Sequence, residues 1–168
     1  MIEVNSVEAE ILEKLITFAY TGEITLSNKN VKWIFQAADF LQMQSVTELC
    51  INFIVKHLSV YNVIQCYFFA KHFMGCSLLE KTKSLIIRNF GQVVDKAEQA
   101  FFKLGMDDMI QIISRSELEV NTEEDVFHAV DKWIQANPNN KAELMKKLLP
   151  KVGIKPHFVF KSTFDILF

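Results

Sequence analysis

Thr122-Glu-Glu-Asp-Val-Phe-His-Ala-Val-Asp-Lys-Trp-Ile134, arriving just after Ser116-Glu-Leu-Glu-Val120, is the stretch on which the fold turns. A hydroxyl at Thr122 can cap a helix, and Glu123, Glu124 and Asp125 place negative charge beside the unpaired first-turn amides. Val126, Phe127, Val130, Trp133 and Ile134 then recur at helical spacing, so one face of this helix is built for burial. By itself the stretch specifies an amphipathic packing helix and nothing catalytic.

Working outward, composition supports a helical protein. The 168 residues can bury a sizeable core as one domain, or as one domain with part of another. Only 5 Gly and 3 Pro are present, which suits helices with short connections rather than a many-turned β protein. Half of the sequence is hydrophobic, with 15 Phe, an apolar excess that anticipates a surface covered by a partner. A net charge of −2 with no basic stripe gives no attraction to nucleic acid. No apolar run approaches the roughly 20 residues of a spanning helix, so no membrane association is expected. Glu3 and Glu8 stand where a signal peptide would need basic and apolar residues. Three cysteines, Cys50, Cys66 and Cys76, form no disulfide framework and read as reduced, buried thiols of a cytoplasmic protein, the nucleus being the alternative.

Along the chain, Ile2-Glu-Val4 alternates as a short strand. A first helix is expected over about 7–19, with Ile11, Leu12, Leu15, Ile16 and Ala19 inward and Gly22 as its left-handed cap. Residues 23–26 suggest a second strand. A helix opened by Ser27 or Asn28 carries Val31, Ile34, Phe35, Ala38 and Leu41. Another begins with a capping box, Ser45-Val-Thr-Glu48, and carries Val46, Leu49, Cys50, Phe53 and Ile54. The pattern breaks at 58–62, the expected boundary. Helices follow over about 63–73, from Ser77-Leu-Leu-Glu80 to Asn89, and near 97–102, 105–114, 123–135 and 141–149, with a turn at 137–140.

Chemistry can be tested by spacing. Cys50 and His57 share a helix face but lie roughly 10 Å apart along its axis, too far for one metal whose bonds are about 2.0–2.3 Å long. Cys66 and His72 point to different sides, and no C-x-x-C, H-x-x-x-H, phosphate loop or nucleophile elbow is present. The cluster 123–125 is read as a helix start, the thiols as packing groups, and Trp133 with the phenylalanines as core. No catalytic residue, metal, cofactor or small-molecule substrate is expected. The helix over 63–73 is the exception to single-faced patterning. Val63, Cys66, Phe69, Ala70 and Phe73 gather on one side, with Ile64 and Phe68 almost opposite. Such a helix is either sandwiched in its own fold or offers an apolar strip to a partner.

Three blocks in order resemble BTB-BACK proteins of the Kelch-like kind: Leu15-Ile-Thr-Phe-Ala-Tyr20-Thr21-Gly22-Glu-Ile24 with Ala37-Ala38-Asp39-Phe40-Leu41-Gln42; Asn62-Val-Ile-Gln-Cys-Tyr-Phe-Phe69-Ala70-Lys-His72; and the opening stretch. The first looks like the second half of a BTB domain, the second like the 3-box that opens the BACK region. The resemblance implies a mainly α protein: a helical BTB remnant at 1–57 with one or two short strands, then an α-helical BACK domain of antiparallel helix pairs at 58–168, with the 3-box at about 60–73. It implies an interaction module similar to the substrate adaptor of a cullin-3 RING ubiquitin ligase, with a BTB scaffold of transcription regulation or cytoskeletal organisation as the alternative. Its partners would be the cullin-3 N-terminal domain and a BTB partner chain. Docking residues implied are Tyr20, the start of the second helix through Asn30, the turn at Met43-Gln44, and, from the two-faced helix, Ile64 and Phe68. A competing reading of Tyr20 is an aromatic packed beside the Gly22 cap. The pattern departs from the family at Gly153 and Lys155, where arginine and proline are usual. The upstream BTB strands and the Kelch repeats are not matched within the sequence, and the apolar stretch 157–168 matches nothing in the family.

Overall fold

The computed structural model describes residues 8–73, 77–115, 117–120, 123–137 and 146. Among them the chain forms nine helices and no strand. It divides into two compact units, 1–58 and 59–168.

In the first unit, α1 (Ala9–Thr21), α2 (Val31–Phe40) and α3 (Gln44–Lys56) enclose a small apolar core. Ile11 and Leu15 of α1, Val31, Ile34, Phe35 and Ala38 of α2, and Val46, Cys50 and Ile54 of α3 are buried. The inward stripe of α1 is narrower than its spacing predicts, since Ile16 and Ala19 face outward. Gly22 ends α1 as expected: its φ is 72°, and its N–H donates to the Phe18 carbonyl at 2.8 Å.

The strand expected at 23–26 does not form. A strand needs a neighbour to take its backbone groups, and none exists among the described residues. Local side chains take them instead. Glu23 N–H donates to Thr21 Oγ1 at 3.2 Å, and Asn30 Nδ2 donates to the Thr25 carbonyl at 3.2 Å. The capping box at 45–48 is also absent, because the cap is Met43, two residues earlier, which leaves Ser45 inside the first turn. Glu48 accepts from Gln44 Nε2 at 3.2 Å instead.

The second unit holds α4 (Val63–His72), α5 (Ser77–Arg88), α6 (Phe90–Lys96), α7 (Glu98–Phe101), α8 (Met106–Ile113) and α9 (Glu123–Ala136). Helix α6 is not legible as a separate element: the chain bends at Asn89, whose side chain donates to the Leu85 carbonyl, and resumes helical conformation at Phe90. All five apolar positions of the opening stretch are buried, from Val126 to Ile134. They join one core with Ile64, Tyr67, Ile86, Phe90, Phe101 and Met109, in which the Phe90 and Phe101 rings meet edge to face at 5.9 Å. Trp133 Nε1 donates to the Leu104 carbonyl at 3.1 Å, and Asn137 Nδ2 donates to the Phe102 carbonyl at 3.0 Å, so the end of α9 holds the turn before α8. The strand at Ile2–Val4, the Thr122 cap, the helix expected over 141–149 and the apolar stretch 157–168 lie outside the described residues, Lys146 excepted.

Candidate protein-docking surfaces

Among the described residues, large exposed apolar side chains are concentrated in the first unit. Tyr20 on the last turn of α1 is 89% exposed, Trp33 on α2 is 57% exposed and Phe40 at its end is 62% exposed. The exposure of Tyr20 removes the reading in which it packs beside the Gly22 cap. Trp33 and Phe40 were not anticipated. They sit two helical turns apart on α2, outside the inward stripe 31, 34, 35 and 38, and that offset is the signal that could have found them.

The loop before α2 is rigid for a reason visible in its residue types. Ser27 N–H donates to Asn30 Oδ1 at 2.8 Å, and Asn30 N–H donates to Ser27 Oγ at 3.3 Å. This reciprocal arrangement is a capping box with asparagine in the third position. Asn30 therefore spends its side chain on shaping residues 27–30. The same S-x-x-N spacing recurs before α4, where Ser59 N–H donates to Asn62 Oδ1 at 2.8 Å.

Between α2 and α3 the chain reverses through Gln42, whose φ of 59° is the single positive value at a non-glycine residue among the described ones. Met43 N–H reaches the Ala38 carbonyl at 2.8 Å and Gln42 N–H the Asp39 carbonyl at 3.1 Å, the paired bonds of a Schellman motif. This sets Met43 half-buried and Gln44 exposed at the head of α3.

In the second unit, α4 buries one wide face. Val63, Ile64, Cys66, Tyr67 and Ala70 are all buried and span roughly 160° of its circumference at about 100° per residue. Ile64, expected to dock a partner, lies fully buried in the core, so exposure gives it no docking role. The geometric reason is that the buried face is wide enough to include Ile64, with Leu79 and Leu85 of α5 packed into the same cluster. Phe68 is half-buried and packs on that cluster beside Tyr67, ring centroids 6.0 Å apart. Gln65, Lys71 and His72 are the exposed residues of the helix.

A polar cluster missed from sequence ties α4 to α8. Asp108 is 4% exposed, yet Tyr67 Oη donates to its Oδ1 at 2.7 Å and Lys71 Nζ reaches Oδ1 and Oδ2 at 2.7 and 2.8 Å. Burial and the neighbouring carboxylate push the Tyr67 phenol well above its ordinary range. The available signals were Asp108 on the buried stripe of α8, four before Ile112, and Tyr67 four before Lys71.

Among the described residues no group of three His, Cys, Asp or Glu could hold a metal ion, and no helix is long and apolar enough to cross a membrane. Cys50 and Cys66 are both buried, and burial pushes the Cys50 thiol up to about 12.

These surfaces define an α-helical module that exposes large aromatic side chains among its charged ones. The BACK family, described as BTB And C-terminal Kelch, matches residues 63–160, and the BTB/POZ domain matches residues 1–58. The chain belongs to the BTB-BACK family of Kelch-like proteins. Kelch-like protein 23 of Mus musculus is 33% identical over 163 residues, covering 96% of this chain and 29% of that protein. Kelch-like ECH-associated protein 1B of Danio rerio is 32% identical over 163 residues, 95% of this chain and 27% of the relative. Kelch repeat and BTB domain-containing protein 8 of Homo sapiens is 29% identical over 150 residues, 89% and 25% respectively. The chain thus spans less than a third of the length of these relatives.

Proposed function

We propose that the chain acts without catalysis of its own, as the BTB-BACK part of an adaptor for a cullin-3 RING ubiquitin ligase, docking the cullin-3 N-terminal domain. The observation that carries this reading is the exposed aromatic surface of the first unit, Tyr20 foremost, within residues that match a BTB domain. Beside it, the S-x-x-N box fixes residues 27–30, and the left-handed Gln42 fixes the turn presenting Met43 and Gln44. A non-glycine residue held in that conformation is a local strain of the sort found at binding sites. In the second unit, Phe68 is the docking candidate of α4 and Ile64 supports it from inside.

Calorimetric titration of the cullin-3 N-terminal domain into the chain tests the reading. Tyr20→Ala and Gln44→Ala should each weaken binding several-fold, whereas Lys96→Ala on α6 should leave it unchanged, since aromatic anchors dominate interfaces and scattered surface charges do not. Absence of binding by the unaltered chain, or equal affinity after Tyr20→Ala, defeats the proposal.

A further inference from the structure

We infer that Asp108 is the positioning residue for α4, holding the 3-box helix in the rotation and height at which its outer face can dock; this rests on the docking reading above. Apolar burial is non-directional, so the packing of Val63, Ile64 and Ala70 leaves sliding and rolling of α4 weakly specified. Asp108 supplies direction. Its carboxylate takes the Tyr67 hydroxyl at 2.7 Å and the Lys71 ammonium at 2.7 and 2.8 Å, two points one turn apart on α4. Gripping two points separated by about 6 Å along the axis fixes rotation and translation together. The carboxylate itself is held in the first turn of α8, where the helix amides favour negative charge. Lys71 remains 52% exposed, so the grip reaches from the core to the rim of the docking face. With one partner buried and the other at the surface, the pair is assigned a role in fixing the arrangement of α4 rather than in net stability.

Amide hydrogen exchange on the full chain tests the assignment. Asp108→Asn should accelerate exchange of the α4 amides at least tenfold and leave the α9 amides within twofold. Trp133→Phe, which perturbs α9, serves as the reference for general loosening. Tyr67→Phe, a milder change, should show the same local pattern at smaller amplitude and decides the matter if Asp108→Asn does not fold. Lys71→Met should accelerate α4 several-fold alone and add nothing in the Asp108→Asn background, because the pair is already broken. Uniform acceleration across the unit, no change at α4, or additive effects overturn the proposal. Calorimetry with the cullin-3 N-terminal domain separates it from the reading it rests on. Loosened α4 with undiminished affinity overturns positioning for docking. Failure of the unaltered chain to bind sinks the docking reading, and the exchange pattern then decides the grip on α4 alone.

Discussion

Trp133 joins two functions in one ring: its carbon surface fills the core while Nε1 donates to the Leu104 carbonyl. Trp133→Phe keeps an aromatic but leaves a small cavity and an unpaired buried carbonyl. The expected loss is about 2–3 kcal/mol, read from urea denaturation followed by circular dichroism. The burial of Trp133 is legible from its helical spacing with Val126 and Val130; its hydrogen bond is not, since the acceptor lies on a turn 29 residues away. Asp108 is illegible for a related reason. An aspartate in a first helical turn ordinarily serves the helix dipole at the surface, and only the fold brings Tyr67 and Lys71 to it. Cys50 yields a prediction in pH. Its folded thiol lies at about 12 against an ordinary 9.0, so above pH 9 the unfolded chain loses a proton that the folded chain keeps. The stabilisation is complete below the unfolded value and is lost as pH rises towards the folded one, at up to about 1.4 kcal/mol per pH unit. Urea midpoints of the first unit should fall between pH 9 and 10.5, and Cys50→Ala should flatten that decline while lowering the neutral-pH midpoint through its cavity.

Helix ends show how one backbone conformation can be written in two ways. Gly22 occupies the left-handed region at the end of α1, and the sequence declares it because glycine adopts that conformation freely. Gln42 occupies the same region after α2, and nothing in a glutamine announces it. Substitutions should therefore move stability in opposite directions. Gly22→Ala meets no neighbour, as no atom lies within 4 Å of an added Cβ, so its cost is backbone strain of about 1 kcal/mol. Gln42→Gly relieves the same strain and should stabilise by about 0.5–1 kcal/mol, less whatever the side chain gains from its bond to the Asp39 carbonyl at 3.2 Å. Thermal midpoints of the two variants decide the matter; a destabilising Gln42→Gly would show that the left-handed residue is not strained. The S-x-x-N boxes before α2 and α4 went unread because the usual third-position partner is glutamate or glutamine. The pairing of 23–26 failed at element scale as well: alternation marks a strand only where a second strand accepts it.

Among the described residues the two units bury apolar surface unequally. Among the largest fully buried side chains, the first unit supplies Leu15 and Ile34, while the second supplies Tyr67, Phe90, Phe101, Leu78, Met109 and others. Conversely, among the described residues Ile16, Tyr20, Trp33, Phe40 and Leu49 of the first unit are exposed, against Tyr61 in the second. The mainly helical class was legible because burial stripes repeat at helical spacing throughout. Which stripe residues stay uncovered was not, since spacing names a face and never its neighbour. Each large apolar side chain left in water forgoes about 1.5–3 kcal/mol of burial, and segments with less burial open at lower free energy. The first unit should therefore open more readily. Amides of α1, α2 and α3 are expected to exchange roughly a hundredfold faster than those at 126–134 of α9, and heating should give two transitions with the first unit unfolding at the lower temperature. On the proposed docking, saturating cullin-3 N-terminal domain should then slow exchange in the first unit most, because ligand binding stabilises the state that presents the site. Equal protection in α1–α3 and α9 without any partner would mean that the exposed aromatics cost the unit nothing, and the link between its uncovered surface and docking would be lost.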